Sequence, residues 1–198
     1  MIVFKEKGGF CAISLCKSYW GVDEKGALLD DNVNMWKVKG EKGCYVLTPM
    51  SSALIDALRY QPKMFKGITD FTSVVTNFIP KLKELAKSMG FLSDKGEILD
   101  WPRLVIVKGD RAFSVNCYGI VQEVDDFITR DIFLDEQLYG CLEGVGAGDI
   151  RAKVLEAIEW HSRWMHENPF PILMLNTRTG KRQVLTSFPK CGVNKKSN

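Results

Sequence analysis

In RLVIVKGDRAFSVNCYGIVQEVDDF, Arg103 to Phe127, β-prone runs follow one another with only short turns between them. Arg103 to Val107 is apolar, Lys108 to Arg111 is a turn, and Ala112 to Cys117 alternates as a half-buried strand does. After Gly119, Ile120 to Phe127 reads as a further strand, with Val121, Val124 and Phe127 among its apolar positions. The glycine-rich run Glu143 to Asp149 then turns the chain into one amphipathic helix that reaches His166. Tight strand-to-strand turns imply antiparallel pairing, because parallel neighbours need crossovers of a dozen or more residues.

Upstream, Met1 to Phe4 is β-prone, Lys7-Gly8-Gly9 is a turn, and Phe10 to Cys16 alternates as a returning strand. Ala27 to Val38 mixes polar and apolar residues and fits neither period. Lys39 to Gly43 is a turn and Cys44 to Leu47 a buried strand. Beyond Pro49, Ser51 or Ser52 caps a helix whose apolar face is Leu54, Ala57 and Leu58. A second helix is expected from Asp70 to Met89, with Phe71, Val75, Phe78, Leu82 and Leu85 on its apolar side. Pro80 should kink or split it, and Gly90 should end it in the left-handed region. Near the C-terminus, Ile172 to Asn176 and Gln183 to Thr186 are read as a hairpin around Arg178 to Arg182.

The order is strands, two helices, strands, a helix and a final hairpin. It suits an α+β domain in which helices cover antiparallel sheets. With 198 residues, 45% of them hydrophobic, the chain supports one substantial core, and we expect a single domain over 1–188 with a basic, disordered tail over 189–198. A net charge of +3 does not by itself imply a polyanionic partner. No apolar run approaches the roughly 20 residues that span a bilayer, and the N-terminus lacks a secretory pattern, so a cytoplasmic location is the expectation. The six cysteines form no CxxC pair and the only histidines are His161 and His166, so neither a metal site nor a cofactor is expected. Buried, reduced thiols are the expectation for Cys16, Cys44 and Cys117.

Three segments, in this order, resemble a known family. Asp31-Asn32-Val33-Asn34-Met35-Trp36-Lys37-Val38 is similar to the strand that carries a catalytic lysine in proteasome-like N-terminal nucleophile hydrolases. Cys117 to Glu123 resembles the strand-turn-strand that precedes the family's Gly-Ser-Gly turn, and Gly144-Val145-Gly146 resembles that turn, followed by a helix containing Ala152 and Ala157. The resemblance spans most of residues 1 to 175 and points to bacterial ring-forming peptidase subunits. It implies a four-layer αββα sandwich of two antiparallel sheets covered by helices. Two departures stand out: room for only one helix between the glycine turn and the last strands, and an acidic stretch from Gln122 to Leu138.

The family's chemistry depends on a threonine, serine or cysteine at residue one, whose α-amine serves as base, with a lysine and an aspartate tuning the proton transfer. The chain as written begins Met1-Ile2-Val3. The position resembling the aspartate falls near Cys16, and the one resembling the lysine near Met35, with Lys37 two residues on along the same strand face. A thioether moves no proton. The resemblance therefore implies a degenerate active site, with Cys11 and Lys37 as the remaining catalytic candidates. Cleavage between Phe10 and Cys11 would expose a nucleophilic cysteine but would remove the first strand.

Other constellations carry bland readings. Gly144, Gly146 and Gly148 precede a helix without the lysine of a phosphate loop, and Asp149 is read as the helix cap. His161 shares a stripe with Ile150, Val154, Ile158 and Met165, as a hydrogen-bonded core residue does. The acidic residues Glu123, Asp125, Asp126, Asp131, Asp135 and Glu136 lack the spacing of a calcium loop. Arg178, Lys181, Arg182, Lys190, Lys195 and Lys196 form a basic end whose contact with nucleic acid is the lesser reading beside a hairpin and tail. Trp160 and Trp164, one helical turn apart, are the candidate binding residues for a subunit interface.

Two main readings follow. One is a proteasome-like subunit without peptidase activity, acting as an assembly or protein-binding module and as a homo-oligomer. The other is an active N-terminal nucleophile peptidase or amidohydrolase after processing. An unrelated α+β binding protein with a basic tail is the third.

Overall fold

The computed structural model describes residues 1–15, 35–49, 52–99, 101–129, 149–166 and 168–189. Two five-stranded antiparallel sheets organise them. The first comprises β1 (Ile2–Glu6), β2 (Gly9–Leu15), β8 (Phe127–Thr129), β9 (Ile172–Asn176) and β10 (Arg182–Leu185), in the order β10-β9-β2-β1-β8. The second comprises β3 (Met35–Lys37), β4 (Cys44–Leu47), β5 (Leu104–Lys108), β6 (Arg111–Val115) and β7 (Val121–Glu123), in sequence order.

Local chemistry sets the register of the hairpins. Lys108 pairs with Arg111, so Gly109-Asp110 is a two-residue connection, and Gly109 takes φ +64° as the first residue of a type II′ turn must. Glu6 pairs with Gly9, leaving Lys7-Gly8 between β1 and β2, with Gly8 at φ +79°. From these registers, alternate residues of β1 and β2 go to opposite faces: Met1, Val3, Phe10 and Ala12 to one, Ile2, Phe4, Cys11 and Ile13 to the other.

The expected single strand over Ile120 to Phe127 is two strands in different sheets. β7 pairs with β6, whereas β8 pairs with β1. The exposed pair Asp125-Asp126 interrupts the apolar run, and buried Val124 and Ile128 on either side anchor the crossing between the sheets.

Helix α1 (Ala53–Arg59) is capped by Ser52, whose hydroxyl accepts from the Ile55 amide at 3.3 Å. Its buried residues are Leu54, Ile55 and Leu58; Ala57, expected on that face, is half-buried. A 3₁₀ turn (Pro62–Phe65) follows. Helix α2 (Phe71–Ser73) opens with a capping box: Asp70 accepts from the Ser73 amide at 2.7 Å, and the Asp70 amide donates to the Ser73 hydroxyl at 3.0 Å. The chain then runs through a π-helical segment (Val74–Phe78) into α3 (Ile79–Ser88). Pro80 lies in the first turn of α3, and the widened π turn before it accommodates the ring and the missing N–H. That extra residue shifts the apolar face. Val74, Phe78, Leu82 and Ala86 are buried, while Phe71 and Val75, expected inside, are 41% and 40% exposed. Gly90, at φ +75°, donates to Lys87 O at 3.1 Å and Phe91 donates to Ala86 O at 2.8 Å, a Schellman ending.

Helix α4 (Ile150–Trp164) is capped by Asp149, which accepts from the Arg151 amide at 3.3 Å, as expected. Gly144 to Gly148 and the basic end beyond Pro189 lie outside the described residues, as do Cys16, Asp131 to Glu136 and the first part of the Asp31 to Val38 segment. The hairpin β9–β10 forms around Arg178, with Gly180 at φ +70°.

Three buried clusters hold these elements together. One joins α1, the 3₁₀ turn, the π-helical segment and α3 to a face of the second sheet through Leu58, Phe65, Phe78, Leu82, Ile106 and Phe113. A second contains side chains of both sheets, among them Val3, Phe10, Met35, Leu47, Val105 and Leu175. The third joins α4 to the other face of the first sheet through Phe4, Ile13, Val154, Ile158 and Met174. At about 25 cal/mol per Å² of apolar surface removed from water, burial on both faces of both sheets is the main source of stability.

Candidate functional site

The start of β1 lies between the sheets. Met1 is 4% exposed and belongs to the inter-sheet cluster with Met35, Leu47 and Val105. Ile2 pairs with Ile13, which places Met1 opposite Ser14 one step beyond. Ser14, on the same face of β2 as Phe10 and Ala12, is buried; Ser114, which pairs with Val105, shares the inter-sheet face of β6 with Ala112 and is buried too. Met1, Met35, Ser14 and Ser114 are thus buried on the inter-sheet faces of their strands, with Tyr45 in the same cluster as the two methionines. Hydroxyls donate and accept hydrogen bonds, but a serine needs an adjacent base to become a nucleophile.

Met35 is fully buried, whereas Lys37, on the same face of β3, is exposed near the strand's end. β3 pairs with β4 so that Met35 faces Leu47 and Lys37 faces Tyr45. The strand thus carries a thioether into the core and an ammonium into solvent. The cation that reaches Met35 is Arg182 of β10, which donates to the Met35 carbonyl at 3.1 Å. Burial pushes the Tyr45 hydroxyl's pKa up, and the charge of Arg182 partly opposes that shift. In the sequence Arg182 is one cation of a basic turn; its approach to β3 depends on the two sheets being packed together.

Cys11 faces the other way. It is 1% exposed on the α4 side of β2, and it lines a pocket of about 240 Å³ with Arg151, Met174, Asn176, Thr179, Lys181 and Gln183. Glu6 organises the polar wall. It accepts from Arg151 Nε at 2.8 Å and Nη2 at 3.0 Å, and from Asn176 Nδ2 at 3.0 Å. Burial pushes the Cys11 thiol up to about 12, with the Glu6 charge adding to the effect and Arg151 opposing it. A thiol in that state is protonated at neutral pH and chemically quiet. Cys44 is likewise pushed up to about 11 by burial, while Cys117 is half-buried.

His161 is buried on α4 as expected, and Met165, grouped with it by spacing, is 43% exposed. His166, just past the helix, adopts φ +52°. It lines a second, open pocket of about 450 Å³ with Glu159, Ser162, Arg163, Asn168, Pro169 and Phe188. Trp160 and Trp164 are 64% and 66% exposed. The structure therefore does not bring the four candidates into one site: Cys11 is under the N-terminal part of α4, Lys37 is on the edge strand of the other sheet, and the tryptophans are on the outer face of α4. Among the described residues, no group of three or more His, Cys, Asp and Glu side chains is placed to hold a metal ion. No helix among them is long and apolar enough to cross a membrane.

Comparison with known proteins gives the fold a context. Neither a protein-family model nor a curated protein matches the sequence. Solved structures do match. Thiobacillus denitrificans BPH in complex with epoxomicin superposes with a TM-score of 0.55 at 15% identity, covering 95% of this chain and 98% of that one. Eukaryotic HslV from Trypanosoma brucei gives 0.54 at 11% identity, covering 88% and 98%. Anbu, the ancestral β-subunit from Yersinia bercovieri, gives 0.56 at 12% identity, covering 93% and 86%. The chain is structurally similar to proteasome β-like N-terminal nucleophile hydrolases over most of its length. At these identities the likeness is one of fold.

Proposed function

We propose that this chain is a non-catalytic subunit on a proteasome-like scaffold, acting as an assembly or protein-binding module in a homo-oligomer. The observation that carries the proposal is Met35: where the resemblance places a catalytic lysine, a fully buried thioether packs into the inter-sheet core. A methionine there cannot accept or return a proton, and Lys37 points into solvent instead. The three clusters support a four-layer αββα sandwich as the architecture; on this reading 1–188 is one domain and 189–198 a basic tail. The free thiols of Cys11, Cys44 and Cys117 are in keeping with a cytoplasmic setting.

The competing reading is an enzyme matured by cleavage before Cys11. It is disfavoured because β1 would be lost from the middle of its sheet, where it pairs with both β2 and β8 and buries Ile2, Val3 and Phe4. The test is hydrolysis of a panel of fluorogenic peptides and amides by the purified native chain. The proposal expects rates at the level of the buffer blank for every substrate. Turnover that disappears on Cys11→Ala, or on changing any newly exposed N-terminal threonine, serine or cysteine, overturns it.

A further inference from the structure

Strand register lines up two rows of side chains on the α4 side of the first sheet. Cys11 pairs with Asn176, and the Asn176 amide donates to Lys181 O at 3.0 Å, so Cys11, Asn176 and Lys181 follow one another from β2 through β9 to the residue before β10. Ile13 pairs with Met174 and Met174 with Gln183, which makes the next row on the same face. Helix α4 covers only the β2 end of these rows: Cys11 and Ile13 are buried, whereas Lys181 and Gln183 are exposed. The pocket of about 240 Å³ lies where that cover stops, with Cys11 and Met174 as its apolar floor and Arg151 of α4 in its wall.

We infer that this pocket binds a small monocarboxylate with a short apolar chain, its carboxylate between Arg151 and Lys181 and its chain over Met174. Arg151 is a cation already held in place. Glu6 accepts from its Nε and Nη2, and the guanidinium also reaches the Cys11 sulfur, which leaves further N–H donors for a ligand in the pocket that it lines. Lys181 stands on the rim, and among the described residues its ammonium has no ion-pair partner. Two carboxylates balance the two cations: Glu6, and Asp149, which acts on Arg151 from the start of α4. That balance admits an anion of single charge and repels a phosphate dianion. An alcohol of the same length leaves both cations unanswered, and an amine adds a third. Size restricts the chain. At about 30 Å³ per water the pocket holds about eight, below the roughly 300–1,000 Å³ of sites for drug-sized ligands, so a chain of about six carbons fills it. The site is on the outer face of the first sheet and stands whether or not the chain has peptidase activity.

The experiment is thermal unfolding of the full chain with sodium hexanoate, against 1-hexanol, hexylammonium chloride and inorganic phosphate at matched concentration and ionic strength. A ligand of this size binds with a Kd on the order of 1 mM. At about 20 mM hexanoate should therefore raise Tm by about 5 °C, and the three controls should not. Lys181→Gln should weaken binding about tenfold and leave a rise of about 2 °C. Gln183→Trp should fill the mouth of the pocket and abolish the rise. Both residues are exposed, so the Tm of the ligand-free variants should match that of wild type. No stabilisation by hexanoate overturns the inference. Equal stabilisation by hexanol or by phosphate overturns it as well, because the site then reads the chain alone or charge alone. A rise that survives both variants places the carboxylate elsewhere and overturns it too.

Discussion

If Cys11 is a core thiol, it should resist alkylation to an extent that follows from its surroundings. Burial and the Glu6 carboxylate lift its pKa from 9.0 to about 12. Only the thiolate attacks iodoacetamide. At pH 8 about one thiol in eleven is ionised at the ordinary value and about one in ten thousand at the raised one, so ionisation alone slows the reaction roughly 900-fold. The side chain's 1% exposure slows it further. The assay is iodoacetamide labelling of the folded chain and of the chain in urea, with peptide mapping to follow Cys11 and Cys117 separately. Cys117, half-buried, should label in the folded protein long before Cys11. A Cys11 rate within about tenfold of the unfolded chain would refute the reasoning and reopen the case for a nucleophile. Because the folded state favours the neutral thiol, its contribution to stability is complete below pH 9 and is lost as pH rises through about 12. The gap between those values amounts to ~4 kcal/mol at most.

Glu6→Ala should lower stability by about 2 kcal/mol in urea unfolding, because it strips the carboxylate from Arg151 and Asn176 at once; Glu6→Gln, which keeps one acceptor, should cost less. On the acid side, hydrogen bonds from the Ser73 amide hold Asp70 below its ordinary 3.8, and Arg111 holds Glu123 below its ordinary 4.5. Both contributions are present above those values and disappear as pH falls beneath them, so the urea midpoint should drop between pH 5 and pH 3, and Asp70→Asn with Glu123→Gln should flatten that drop. Gly119→Ala should destabilise by about 2 kcal/mol and perturb tryptophan fluorescence. Its backbone is at φ +73°, and an added methyl would lie 2.6 Å from the Trp101 ring.

The sheets were legible in sequence where each strand carries its own signal. Cys44 to Leu47 is uninterrupted and apolar, and Gly109-Asp110 marks a hairpin on its own. Ser52, Asp149 and Gly90 likewise announce helix ends through local hydrogen bonds. What could not be read depends on partners far away in the chain. The sheet change at Asp125-Asp126 is decided by β6 and β1, not by the run itself. The buried face of the α2–α3 stretch depends on how the chain absorbs Pro80, and a π turn moves it by one position. The Glu6–Arg151–Asn176 arrangement joins residues 145 and 170 positions apart, and no spacing rule connects them. The candidate site divides in the same way. A methionine near the position that the resemblance gives to a lysine was visible in the sequence, whereas the burial of Met35 and the approach of Arg182 required the packed sheets.

The central claim, a proteasome-like scaffold without its nucleophile, is tested most directly by the intact mass of the native chain before and after incubation with epoxomicin, the molecule bound by Thiobacillus denitrificans BPH. The account predicts a mass that epoxomicin does not change. A chain beginning at a threonine, serine or cysteine, heavier by one epoxomicin after incubation, would contradict it.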